Sequence, residues 1–466
     1  MKKSFKYLFT IALGLGVLSS CSEDSLDPTL QQSKDIVTSV NTVNDLQAVI
    51  NGAYNRMSIS DYYGRDKIIL GEVFSDNTSS NANSNRFVAE ARMDLLPTSA
   101  IAETLWARLY TVIGSANIVI NAEGITGDEA EVNQIKGQAY VIRALAHFDL
   151  LTFYGQQNVN GGGLSSLGVP YVTAFRDENS LFPARNTVQE VRDLAYADLT
   201  TAKGLMDDSV GSVEYINTYA ASAVEARIAN YFGDWQRSLD AAEEVILSTN
   251  FSVISKDAFL NSFSIDGASN SIFEIAASET DNEGINGLAN IYQQGSYGDV
   301  IALPNLAAIY EDTDVRGVTT ADKEGVITRY ANGTLRNTGK YPSYAPYKDN
   351  ISVIRYEEMV LIYAEALLET ASPAEALIWL NKIPAERGAT LYDAATKSNI
   401  LLERRKELAF EGFRFHDLAR TKMDIPFVDV ALQLHEGPTY GSFNYALPIP
   451  LAEDDANANL PQNFGY

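Results

Sequence analysis

The chain has 466 residues, 46% of them apolar, and a formal net charge of −25. So acidic a surface repels phosphate backbones and anionic headgroups, which excludes charge-driven binding to nucleic acid or to a lipid surface. A single cysteine excludes an intrachain disulfide and a cysteine-based zinc site, so a packed core has to supply the stability.

The chain opens with Lys2, Lys3 and Lys6, then an almost wholly apolar run over 7–18, then Leu18-Ser19-Ser20 and the lone Cys21. This order predicts a secretory signal, with an apolar core too short to span a bilayer comfortably. A cysteine just past the cut is what bacterial lipoprotein processing needs, because its thiol carries the diacylglycerol. Residues 1–20 are therefore expected to be a lipoprotein signal peptide, and Cys21 the point of lipid attachment. Residues 21–41, beginning Cys21-Ser22-Glu23-Asp24, are acidic and polar and are expected to be a solvated tether.

From Thr42 the pattern is helical. Leu46, Val49, Ile50, Ala53, Tyr54 and Met57 recur at three- and four-residue steps and predict a helix over 43–59. Residues 60–100 are polar, rich in Asn, Ser and Thr, and aperiodic, as in a functional or a disordered loop. Helices are predicted over 99–123, over 128–154 with a stop at Gly155, and over 188–206. Two stretches, 216–248 and 351–383, share one design. Each reads as helix, short turn, helix, with alanines where the pair would cross, the tetratricopeptide pattern of about 34 residues. Between them, 250–350 is irregular apart from a strand at 271–276, and 421–466 is rich in turns. The expected fold is mostly α: tetratricopeptide-like helical repeats in one domain over 42–466, with loop-rich insertions and a few short strands. The insertions near 60–100 and 250–350 are the expected ligand face.

No sequence pattern for catalysis, metal binding or a cofactor is present. His147, His416 and His435 stand apart from one another, and there is no HExxH pair, phosphate loop or nucleophile elbow. His147 and His416 fall on predicted helices and read as satisfied structural groups. Glu403, Glu407 and Glu411 recur every fourth residue beside Arg404, Arg405 and Arg414, and the expectation is a structural lattice in which those arginines occupy the carboxylates. Trp106, Trp235 and Trp379 all fall in the repeats and read as core. A sugar platform, which needs a flat ring flanked by amide or guanidinium donors, would then be Tyr or Phe. Two polar, aromatic-bearing segments fit. One offers Asn83, Asn85, Arg86 and Phe87; the other offers Tyr292, Gln293 and Tyr297. Tyr62 and Tyr63 read first as rim or core and second as contacts.

The C-terminal third carries a specific resemblance. Glu403-Arg404-Arg405-Lys406-Glu407-Leu408-Ala409-Phe410-Glu411-Gly412-Phe413-Arg414 and the following Phe415-His416-Asp417-Leu418-Ala419-Arg420 resemble the signature helix of the RagB/SusD family. Leu447-Pro448-Ile449-Pro450 and the terminal Asn463-Phe464-Gly465-Tyr466 resemble its ending. Ile354-Arg355-Tyr356-Glu357-Glu358 is similar to its last repeat, and Arg143-Ala144 with Tyr154-Gly155 also fits. The acidic residues after Cys21 resemble the surface-export signal of Bacteroidetes lipoproteins. The resemblance implies a non-catalytic, lipid-anchored protein on the outer face of the outer membrane. It would cap a SusC-like TonB-dependent transporter and capture glycan for uptake, or alternatively peptide. The repeats would face the transporter and the insertions the ligand. This chain departs from the family in having no tryptophan in either insertion.

Overall fold

Five of the longer helices start at a side chain that caps them: Thr42, Asp128, Thr187, Asn217 and Thr396. The computed structural model describes residues 39–176, 180–293 and 297–466; the signal-like segment, Cys21 and the tether up to residue 38 lie outside these. Helix α1 (Val43–Ser58) begins at a capping box. The Asp45 amide donates to the Thr42 hydroxyl at 3.2 Å, and the Thr42 amide donates to the Asp45 carboxylate at 3.0 Å. Such a cap contributes about 1 kcal/mol. The longer helices that follow are α2 (Asp66–Val73), α3 (Ala100–Asn121), α4 (Glu129–Tyr154), α5 (Val188–Leu205), α6 (Thr218–Phe232) and α7 (Trp235–Leu247). After the insertion come α8 (Tyr356–Glu369), α9 (Pro373–Leu380), α10 (Lys397–Glu407) and α11 (Arg414–Arg420).

These helices form a repeat layer. The packing runs α1 on α3, then α4, α5, α6, α7, α8 and α9 in turn. Small residues allow the close crossings: Ala220, Ala223, Ala226 and Ala229 of α6 and Ala241 and Ala242 of α7 are buried. Gly233 ends α6 at φ +73°, a conformation that favours glycine, and turns the chain into α7. Among the described residues no helix is long and apolar enough to cross a membrane.

Two segments differ from expectation. Residues 351–355 are a strand, not the start of a helix, because Ile351, Val353 and Ile354 are β-branched and pair antiparallel with Ser271–Ile275. The 60–100 region is not a loose loop either. It holds α2, and its polar run Ser75–Ser80 is buried. Strand β1 (Thr78–Ser80) satisfies that backbone by pairing antiparallel with β3 (Val300–Ala302), in a four-stranded sheet ordered β1-β3-β5-β4. The other two strands of that sheet are β4 (Ile327–Arg329) and β5 (Leu335–Asn337); β2 (Ser271–Ile275) and β6 (Ile351–Arg355) form the separate pair. Pairing of β1 with β3 is what joins the two insertions.

The signature segment locks the insertions to the repeats. Gly71 of α2 lies so close to Gly412 that an added Cβ would sit 2.1 Å from its carbonyl oxygen. Gly412 itself has φ +84°. The carboxylates of Glu403, Glu407 and Glu411 do form a buried lattice, but not with their neighbours in sequence. Glu407 meets Arg387 at 3.0 Å, Arg355 at 3.0 Å and Arg316 at 3.1 Å. Glu403 meets Arg316 at 2.6 Å, and Glu411 meets Arg355 at 2.7 Å and Lys340 at 2.5 Å. Arg404 instead pairs with Asp417, and Arg405 and Arg414 both pair with Asp76. Helical geometry explains the correction: Arg404 and Arg405, one and two positions from Glu403, point to other faces of the helix, while the inward face meets Arg316 from the insertion and Arg355 and Arg387 from just before α8 and just after α9.

Candidate functional site

The two candidate segments come together. The Asn81 amide donates to the Asp299 carbonyl at 2.8 Å, and its side-chain Nδ2 donates to the Gly298 carbonyl at 2.7 Å. The Ser84 hydroxyl donates to the Asp299 carboxylate at 2.5 Å. Ala82, Asn85 and Phe87 adopt left-handed conformations, at φ +59°, +65° and +57°, and so fold the chain back over the sheet edge. Such backbones are uncommon outside glycine and persist where surrounding contacts enforce them.

Arg86 is the centre of the resulting face. Its guanidinium lies 5.0 Å from the ring centroid of Tyr297 and 5.8 Å from that of Phe87. Its Nη2 donates to the Asn286 side-chain oxygen at 3.3 Å. Arg65 approaches Phe87 from 5.6 Å and holds Asp66 at 2.5 Å. Arg65, Asp66, Asn85, Arg86, Phe87 and Glu90 line a cleft of about 610 Å³. Burial pushes the Asp66 and Glu90 carboxyls above their usual range, with Arg65 opposing the shift at both. Burial and the neighbouring Arg65 charge lower the Arg86 guanidinium. Asn83 and Asn85 are exposed, and Arg86 and Tyr297 are half-buried, so these four present polar groups or a ring to solvent.

The other candidates are placed differently. Tyr292 is fully buried, stacked parallel to Tyr341 at 6.1 Å and edge-on to Phe410 at 5.5 Å. It is a core residue, because the short helix Leu288–Tyr292 turns its whole length inward. Tyr62 and Tyr63 are also buried, and both hydroxyls donate to Asp149, at 2.7 and 3.1 Å. Phe87 is only 6% exposed, so its ring supports the two arginines and is no platform itself. Gln293 spends its amide on the Tyr341 and Pro342 carbonyls, at 2.8 and 3.2 Å.

Gln293 thereby holds a feature that sequence reasoning missed. Tyr341-Pro342-Ser343-Tyr344-Ala345-Pro346-Tyr347 forms an aromatic loop tied to Gln293, four positions before Tyr297 in the chain. Tyr344 is 40% exposed, with Tyr347 edge-on at 5.5 Å, and Asn282 donates to the Pro346 carbonyl at 3.3 Å. Three tyrosines alternating with prolines were the available signal.

The remaining histidines and tryptophans complete the map. His147 is satisfied: its Nδ1 faces the Arg143 carbonyl at 2.9 Å, and its Nε2 accepts the Val172 amide at 3.0 Å. His416 is not, since among the described residues neither of its buried ring nitrogens has a partner. Trp106 is core, whereas Trp235 and Trp379 are half-buried under Lys397 and Lys382, at 4.3 and 3.8 Å.

A tetratricopeptide-type layer carrying a loop-built face of rings, amides and guanidiniums defines a binding protein of the helical-repeat class. Two family models match the chain, one described as starch-binding and associating with the outer membrane over residues 28–230, the other as the SusD family over residues 305–466. Together these matches place the chain in the SusD family of carbohydrate-binding proteins. It is similar to SusD-like protein P2 of Formosa agariphila, 26% identical over 99% of this chain and 100% of that one. A SusD superfamily protein of Bacteroides thetaiotaomicron superposes with TM-score 0.81 at 26% identity, covering 91% of this chain and 99% of the other. A SusD-like carbohydrate binding protein of Bacteroides vulgatus shares the fold, with TM-score 0.78 at 19% identity over 90% and 97% of the two chains.

Proposed function

We propose that this chain is a non-catalytic, lipid-anchored receptor that binds oligosaccharide at the Arg86–Tyr297 face and passes it to a SusC-like TonB-dependent transporter. The observation that carries this reading is the packing of Arg86 against Tyr297, with exposed Asn83 and Asn85 beside it. A ring with an apolar face and a ring of amide and guanidinium donors match a pyranose, which is apolar on its face and hydroxylated at its edge. Tyr344 and Tyr347 extend the platform and take the place of the absent tryptophans. Anchoring falls to Cys21. The repeat layer is the part left for the transporter.

A glycan array run beside a peptide library tests the assignment. The expected result is binding of oligosaccharides, with Arg86→Ala and Tyr297→Ala each weakening it about tenfold, or about 1.4 kcal/mol. Capture of peptides alone would overturn the glycan reading in favour of a peptide receptor.

A further inference from the structure

The signature segment exposes a second charged feature that the sugar face does not use. A cleft of about 540 Å³ opens between the start of α7 and α10. Its wall carries Lys397, Arg405, Arg414 and Arg420 and no carboxylate, in a chain whose net charge is −25. The counter-charges sit behind the wall and are shared. Asp76 faces both Arg405, at 3.0 Å, and Arg414, at 2.7 Å. Glu365 faces both Lys397, at 2.6 Å, and Arg420, at 2.7 Å, which also meet Glu369, at 2.8 Å, and Asp417, at 2.7 Å, so the surplus of positive charge lies at the Asp76 end.

Two guanidiniums around one carboxylate leave positive charge and donors over. Arg405 uses Nε on the Asn77 side-chain oxygen at 2.8 Å and Nη2 on the Asp76 carbonyl at 3.1 Å. Arg414 uses Nε and Nη2 on the Asp76 carboxylate, at 2.7 and 3.2 Å. Among the described residues, neither Nη1 has a protein acceptor. Burial, then the like charge of Arg414, pushes the Arg405 guanidinium down to about 10. That is the signature of a cation held where a further anion would stabilise it. The rest of the wall combines apolar and aromatic side chains, including Trp235 and Leu402, with the neutral polar Asn230, Ser398 and Thr421.

We propose that this cleft binds an organic oxyanion, a carboxylate or sulfate group on a small carbon skeleton, with Arg405 and Arg414 donating to the oxyanion. Charge-assisted bonds from guanidinium are short and strong, and the planar fork suits both oxyanions. Leu402 and the Trp235 edge pack on the skeleton. The proposal does not depend on the Arg86–Tyr297 reading, since the two clefts share no lining residue.

Calorimetric titration of the full chain with digalacturonate, galactose 6-sulfate, inorganic sulfate and maltose tests it. Ser398→Glu places a carboxylate in the wall from an exposed position in the first turn of α10, where a negative charge suits the helix. Arg414→Met removes one donor. Either saccharide acid is expected to bind, more weakly at high salt, and at least tenfold more weakly in both variants, with maltose leaving the binding unchanged. Which acid binds tighter separates a carboxylate from a sulfate ligand. Binding of inorganic sulfate alone would overturn the organic ligand. Absence of binding, or binding unaffected by Ser398→Glu in a protein of unchanged melting temperature, would overturn the site.

Discussion

Beneath α10, Arg316, Arg355, Arg387 and Lys340 meet Asp314, Glu357, Glu403, Glu407 and Glu411 with every partner buried. At the outer face, Arg65 and Arg86 lie against aromatic rings with one side open to solvent. The residue types are the same; the surroundings are not. In the lattice each guanidinium fork is closed by carboxylates, so nothing remains for a ligand and removal of any member strands a charge. At the face Arg86 has rings and one amide for partners, so donors remain and its removal strands little, while Arg65 beside it holds the buried Asp66. Charge satisfaction, more than charge content, separates structure from binding here.

That comparison can be broken at its strongest point first. Glu407→Ala would remove the one carboxylate common to Arg316, Arg355 and Arg387, and is expected to cost about 3–5 kcal/mol or prevent folding. Thermal unfolding measures it; a loss below 1 kcal/mol would show that the lattice is not what joins insertion to repeats. Tyr292→Ala removes a core ring and is expected to cost about 3–5 kcal/mol in denaturant unfolding. Its effect on ligand affinity should be seen only through lost folded protein, the reverse of Tyr297→Ala.

Acid should separate the two regions as well. Burial alone would raise Glu407 and Glu365, but Arg387, Arg355 and Arg316 around the first, and Arg420 around the second, hold both well below the usual carboxylate range. Carboxyls depressed in the fold stabilise it above their unfolded value near 4.3, and that contribution is lost as pH falls further. Burial pushes His147 and His416 down to about 3. Both are neutral when folded, so protonation of the unfolded chain erodes stability as pH drops below about 6.5. Melting temperature should therefore decline gently from pH 6.5 and steeply below about 4.5. The smallest expected effect is at His416, whose ring nitrogens lack partners. His416→Leu should gain about 1 kcal/mol, more at pH 5 than at pH 8, by thermal melts at both.

Much of the repeat layer was legible because one face of each helix is apolar at helical spacing, and caps such as Thr42 and Asp128 mark the starts. The family motifs placed the C-terminal third. Partners distant in sequence were not legible. Arg316 and Arg355 reach Glu407 across 91 and 52 residues, so nearby arginines were wrongly paired with it. The run Asp76–Ser80 looks like a loop because it is polar, yet strand pairing with Val300–Ala302 buries it. Tyr292 and Tyr297 stand in the same polar segment, and only the fold decides that one ring faces the core and the other Arg86.

The most direct test of the account is a calorimetric titration of wild type and of Tyr297→Ala with an oligosaccharide that the wild type binds. Tyr297→Ala is expected to bind about tenfold more weakly at an unchanged melting temperature. Equal affinity in the two proteins would contradict it and move the ligand away from the Arg86–Tyr297 face.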